Sequence, residues 1–169
     1  MALTKTGFTF ATTTDGGPPD ILSWPLAGAT TYYRGEVLRV SNTSGSAVQA
    51  IAAGTSIAFV CPDNVTAAQA TAAGAAGLPL YMMTSRMIFE AIVPYSIAPA
   101  GIRGEVVGLK IGTVHNFRLR ATAAATAPNV IQIIKEKPGE SAAAHANGVY
   151  WVKAAKSIWG VTQVSNASP

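Results

Sequence analysis

The stretch that decides the fold runs from Met87 to Leu119. It opens Met87-Ile-Phe-Glu-Ala-Ile-Val-Pro-Tyr95, turns at Ile97-Ala-Pro-Ala-Gly101, continues Gly104-Glu-Val-Val-Gly-Leu-Lys-Ile-Gly-Thr-Val114 and closes His115-Asn-Phe-Arg-Leu-Arg120. Short runs of strand-forming residues (Val106, Ile111, Val114, Phe117, Leu119) are cut by Pro94, Pro99, Gly101, Gly104, Gly108 and Gly112 before a helix could form. This is the middle of a β-sheet protein. From Phe117 the residues alternate apolar and basic, a pattern that buries one face and turns Arg118 and Arg120 outward.

Working toward the N-terminus, Val65 to Ala73 reads as one short helix capped by Asp63 or Asn64 and stopped at Gly74 or Gly77. Leu78 to Met83 reads as a connection. Ser56–Val60, Ala47–Ile51 and Tyr32–Val40 read as strands of a meander, with turns at Ser41–Ser46 and Ala52–Gly54. Residues 1–31 have the composition of an extended arm. Gly7–Phe10 alternates like a strand, but Thr12-Thr-Thr-Asp-Gly-Gly-Pro-Pro19 forbids regular structure. The arm keeps Leu3, Phe8, Phe10 and Trp24, which a solvated linker would shed, so it is expected either to dock on a partner or to pair as a strand within its own domain.

Toward the C-terminus, Ala121–Pro128 and Pro138–Gly148 read as loops, and Asn129–Lys137, Val149–Val152 and Ser157–Val164 as strands. The expected fold is all-β, a single β-barrel, β-tulip or sandwich over residues 32–169 with one short helix and the arm in front. The echo of Arg34-Gly-Glu-Val37 in Arg103-Gly-Glu-Val106 is strand-entry chemistry, because the accompanying turns fall in a different order in the two halves.

The chain is 169 residues long, 49% hydrophobic and only 12% charged, about half the usual charged share. Ala, Thr, Ser and Gly fill the gap, and such a surface associates readily and mainly by apolar contact. The net charge of +4 is scattered, with no basic run, which argues against nucleic acid. No stretch is apolar for the length of a membrane helix, and no secretory signal core opens the chain, so cytoplasmic synthesis and assembly are expected. The three Asn-X-Ser/Thr matches at Asn42, Asn64 and Asn166 matter only in a secreted eukaryotic chain.

No constellation requires chemistry. Cys61 is the single cysteine, ends a strand at Cys61-Pro62, and reads as a buried structural thiol. The two histidines, His115 and His145, are thirty residues apart, and the eight acids form no metal-ligand or glycosidase pair. Gly104–Gly112 lacks the context of a phosphate loop. No catalytic residue, cofactor or metal site is therefore expected, and the chain is not expected to be an enzyme. Tyr32, Tyr33, Tyr150, Trp151 and Trp159 remain as candidates for a sugar platform or, with adjacent aromatics on a strand facing opposite ways, for core and interface.

The Ala/Thr/Gly-rich β composition, the strand Tyr33-Arg-Gly-Glu-Val-Leu-Arg-Val40 and the Ile51-Ala-Ala-Gly54 turn together resemble the head decoration, or capsid cement, proteins of tailed bacteriophages. The resemblance covers Tyr32 to Val60 and loosely Ile97 to Leu109. It implies a small barrel or tulip that sits as a homotrimer on the outer capsid surface of a virion assembled in the host cytoplasm. Its partners would be the major capsid protein and other copies of itself. The candidate capsid or subunit interface is then Leu3, Phe8, Phe10, Trp24, Tyr32 and Tyr33. A carbohydrate-binding β-sandwich and another virion component such as a tail-tube protein are the alternatives.

Overall fold

The computed structural model describes residues 7–50, 57–93, 104, 106–111, 117–119, 130–137 and 148–161. Leu3, the turns at 51–54 and 97–101, the loops 121–128 and 138–147, His115, His145 and Arg120 lie outside the described residues. The chain is all-β, built on two antiparallel five-stranded sheets with one short helix.

Sheet I contains β1 (Thr9–Thr13), β7 (Met87–Val93), β12 (Gly148–Ala154), β11 (Ile131–Glu136) and β8 (Val106–Val107), adjacent in that order. Sheet II contains β2 (Ile21–Trp24), β6 (Leu78–Met82), β5 (Phe59–Val60), β3 (Val37–Val40) and β4 (Ala47–Gln49), again in that order. Two smaller ribbons pair β9 (Leu109–Ile111) with β10 (Phe117–Leu119) and β13 (Lys156–Ser157) with β14 (Gly160–Val161).

Strand alternation builds three layers. Phe89, Ala91, Ile133, Tyr150 and Val152 of sheet I meet Val37 and Val60 of sheet II in one buried cluster, so the sheets form a sandwich. On the opposite face of sheet II, Leu38, Phe59 and Leu80 are buried with Leu26, Tyr32, Val65 and Ala70. Sheet II is thus apolar on both faces, which explains why Val37-Leu38 and Phe59-Val60 show no polar alternation. Helix α1 (Ala67–Ala73) covers that second face through Ala70. Its cap is Thr66 rather than Asp63 or Asn64. Thr66 Oγ1 accepts from Gln69 N–H at 3.2 Å while Gln69 Oε1 accepts from Thr66 N–H at 2.8 Å, a reciprocal capping box.

Sheet II also curls. Directly after β2, at one edge of the sheet, the chain crosses to the other edge, where Leu26 bridges Ala47 in parallel and Ala27 N–H donates to Ala47 O at 3.0 Å. A single bridge draws the edges together without a continuous ladder. Tyr32 stands inside this curl, 1% exposed, with its phenol 3.1 Å from Ala27 O and 3.2 Å from Ala47 O.

The arm expected over residues 1–31 is corrected by its described part. Residues 7–31 supply an edge strand to each sheet: β1 pairs with β7, and β2 pairs with β6 from Ile21↔Tyr81 to Trp24↔Leu78. The Gly-Gly-Pro-Pro break is the crossing between the sheets, and Arg86 holds it through Asp15 at 3.3 Å, Asp20 at 3.5 Å and Pro18 O at 3.1 Å. Residues 7–31 therefore fold with the domain because their aromatics have core partners. Phe8 N–H donates to Gly35 O at 2.8 Å, and the approach is so close that a Cβ on Gly7 would lie 2.6 Å from that oxygen.

Candidate functional site

The five described residues expected at an interface do not form one surface. Phe8 is 1% exposed and meets Phe89 edge-on at 6.4 Å between ring centroids. Phe10 is half-buried between Tyr81 at 5.4 Å and Phe89 at 6.2 Å, and so joins the two sheets rather than facing a partner. Trp24 packs on Phe59 and Trp159, with its indole N–H donated to Gly45 O at 2.9 Å. Tyr32 is the phenol inside the curl. These four are core and strand-edge residues, a correction with one physical cause: an aromatic of 150–250 Å² that can reach a neighbouring strand buries there first. Leu3 lies outside the described residues. Tyr33 alone is a large, accessible aromatic of the set, 41% exposed.

The five aromatics considered as a sugar platform are dispersed as well. Tyr32 and Tyr150 are buried on different faces of sheet II and sheet I, Trp159 donates to Ala58 O at 2.7 Å against Phe59, and Trp151 lies on the outer face of sheet I.

Around Tyr33 the backbone is laced to the segment before the helix. Tyr32 and Val65 exchange N–H to carbonyl bonds of 2.8 and 2.9 Å, and Arg34 N–H donates to Asn64 Oδ1 at 2.9 Å. Beside this seam opens a groove of about 500 Å³. Its walls are Pro62, Val65, Ala72, Ala73, Leu78 and Pro79, with Asp63, Asn64 and Gln69 along the rim. Helix α1 makes the groove possible because its Ala-rich outer side leaves space that larger side chains would fill. Sequence reading missed it, since Leu78–Met83 was expected to be a connection and the helix only a shallow cover.

The polar groups near this seam serve the fold. Glu36 is 1% exposed, and its Oε2 accepts from Tyr33 N–H at 2.8 Å, holding the turn before β3. Cys61 is fully buried, its thiol donating to Asp63 O at 3.1 Å, and burial pushes its pKa up to about 12. At neutral pH the thiolate fraction is then on the order of 10⁻⁵, far from a nucleophile. Asp15 is held below its ordinary value by the Thr13 hydroxyl first, then by Gly17 N–H, with Arg86 adding its charge. Among the described residues no three His, Cys, Asp or Glu side chains gather as metal ligands, and no helix is long and apolar enough to cross a membrane.

On the outer face of sheet I, Lys135, Trp151 and Glu90 stand in one cross-strand row, Lys135↔Trp151 and Trp151↔Glu90. Lys135 Nζ lies 5.1 Å from the Trp151 ring centroid, and Glu90 is paired with Lys137 at 3.3 Å.

Comparison with known protein families, curated proteins and solved structures finds no match.

Proposed function

We propose that the protein is a structural virion component, a decoration protein that seats on the outer capsid surface and fastens neighbouring coat subunits, grouped as a homotrimer. The reading starts from the resemblance of Tyr33–Val40 and the Ile51–Gly54 turn to capsid cement proteins. The observation that supports it best is the largely apolar groove of about 500 Å³, with Asp63 its one charged lining residue, in the segment laced to the backbone on either side of the exposed Tyr33, on a chain whose charged share is 12%. Small apolar walls with a thin polar rim suit a contact between proteins that, once made, is kept. The polar clusters are committed to structure, with Glu36 in a turn, Arg86 in a crossing and Cys61 in the core, and this fits a binding role better than a reacting one.

The test is co-sedimentation of purified protein with undecorated capsid shells. Tyr33→Ala and Ala72→Glu, both at exposed positions, should leave the fold intact and weaken binding at least about tenfold, the loss expected of a central aromatic anchor. Parental binding by both variants would exclude the groove as the attachment site.

A further inference from the structure

The outer face of sheet I holds three features that the fold itself does not use. The first is the indole N–H of Trp151. Trp24 and Trp159 donate theirs to Gly45 O and Ala58 O, but Trp151 Nε1 is buried and has no hydrogen-bond partner. An indole nitrogen can only donate, so this group lacks an acceptor, and buried donors without one are rare in native proteins. The second is Lys135, exposed, with its ammonium over the same ring at 5.1 Å. The third is Lys153, two residues along β12 from Trp151 and hence on the same face. Neither lysine has a carboxylate partner among the described residues, whereas Glu90, the acid in the row, is already paired with Lys137. Among the described residues the face therefore presents two ammonium groups without a carboxylate and an unused N–H donor around one aromatic ring.

We propose that this face binds an acidic segment of a protein partner, one carboxylate of which bridges Lys135 and the Trp151 N–H while a neighbouring acid meets Lys153. Charge complementarity selects the occupant: a carboxylate supplies both the counter-charge and the missing acceptor, and charge-assisted bonds of this kind are roughly twice as strong as neutral ones. The flexible Lys135 stem lets the ammonium follow the incoming acid. The face lies on the far side of the sandwich from the groove, since α1 covers the opposite face of sheet II. Taken with the proposed decoration role, on which the identity of the partner rests, two faces of different chemistry let one copy hold two coat subunits at once.

The experiment is an NMR titration of the ¹⁵N-labelled full chain with hexaglutamate, reading the three indole N–H resonances. The Trp151 signal should move downfield saturably while those of Trp24 and Trp159 stay in place. The shift should fade between about 50 mM and about 500 mM salt, as expected for surface charges. Lys135→Gln should weaken the apparent affinity at least about tenfold and Lys153→Gln by a smaller factor, with unchanged thermal unfolding. An unmoved Trp151 signal, or an equal response in Lys135→Gln, overturns the proposal. So does a polyphosphate that shifts the signal at lower concentration than hexaglutamate, since the site would then be one for phosphate. The titration uses no capsid shell, so its failure leaves the groove reading standing, and failure of the shell assay leaves this site standing.

Discussion

Removing one oxygen atom from Tyr32 tests how sheet II is closed. In Tyr32→Phe the ring stays in its buried place, and only the phenol that lies 3.1 Å from Ala27 O and 3.2 Å from Ala47 O is lost. One proton is shared between the two carbonyls. A net hydrogen bond contributes about 1 kcal/mol, and leaving a buried acceptor short adds to that, for a total of about 1–2 kcal/mol. Ala47 O keeps the Ala27 N–H at 3.0 Å, which places the cost toward the lower end. For a chain of this size that is a fall of about 2–6 °C in Tm, or a clear drop in the urea midpoint at unchanged slope. Urea unfolding followed by tryptophan fluorescence reads it. Amide exchange at Ala27 and Ala47 should quicken in Tyr32→Phe ahead of exchange in β3 and β5, because the strap opens locally. A loss below about 0.3 kcal/mol with unchanged exchange would refute the idea that the phenol pins the two edges of the sheet.

Four further outcomes follow from the packing. Deletion of residues 2–24 removes an edge strand from each sheet along with Phe8 and Phe10, so circular dichroism should show loss of the cooperative fold; a folded truncation would return this segment to the status of an arm. Cys61 titrates near 12 when folded against an ordinary 9.0, so its contribution is complete below pH 9 and is lost as pH rises toward 12. The parent should thus lose more denaturant resistance than Cys61→Ala between about pH 7.5 and pH 10.5, and parallel losses would contradict the burial. In Gly77→Ala the new Cβ would stand 2.2 Å from the Trp24 carbonyl carbon at φ +71°, and the cost should exceed about 3 kcal/mol, whereas Gly45→Ala, at φ +69° in open space, should cost about 1 kcal/mol in the same thermal scan. Saturable turnover that vanished on changing Cys61 would argue against a purely structural chain, and none is expected.

The class of fold was readable because β-branched and aromatic residues come in short runs between glycines and prolines. The run Met87–Val93 emerged with its expected bounds, and the helix differed in its cap and in starting at Ala67 rather than Val65, which bridges Tyr32 instead. Partner-dependent features were not readable. Tyr32–Val40 reads as one strand, yet only Val37–Val40 is a strand, because Gly35 takes φ +83° and the Glu36 carboxylate ties the turn back to Tyr33. Leu78–Met82 looks like a connection on account of Pro79, but it lies between β2 and β5 in the sheet, which tolerates a residue without N–H opposite Ser23. Ser157–Val164 reads as one strand and instead turns over at Ile158 and Trp159, so that the indole can reach Ala58 O. Of the five described candidate interface residues only Tyr33 is exposed, since local pattern marks an aromatic as valuable without saying which neighbour it will meet. The Trp151 face could not be foreseen because Glu90, Lys135 and Trp151 are far apart in the chain, and the groove, though lined only by residues 62–79, was hidden by reading Leu78–Met83 as a connection.

The decoration role is tested most directly by locating the protein in purified virus particles, through quantitative mass spectrometry together with cryo-electron microscopy of the shell. The expected result is a fixed copy number relative to the major capsid protein, with density on the outer capsid surface across the seams between coat subunits. Density confined to the tail, or a protein left in the soluble fraction when particles are pelleted, would contradict it.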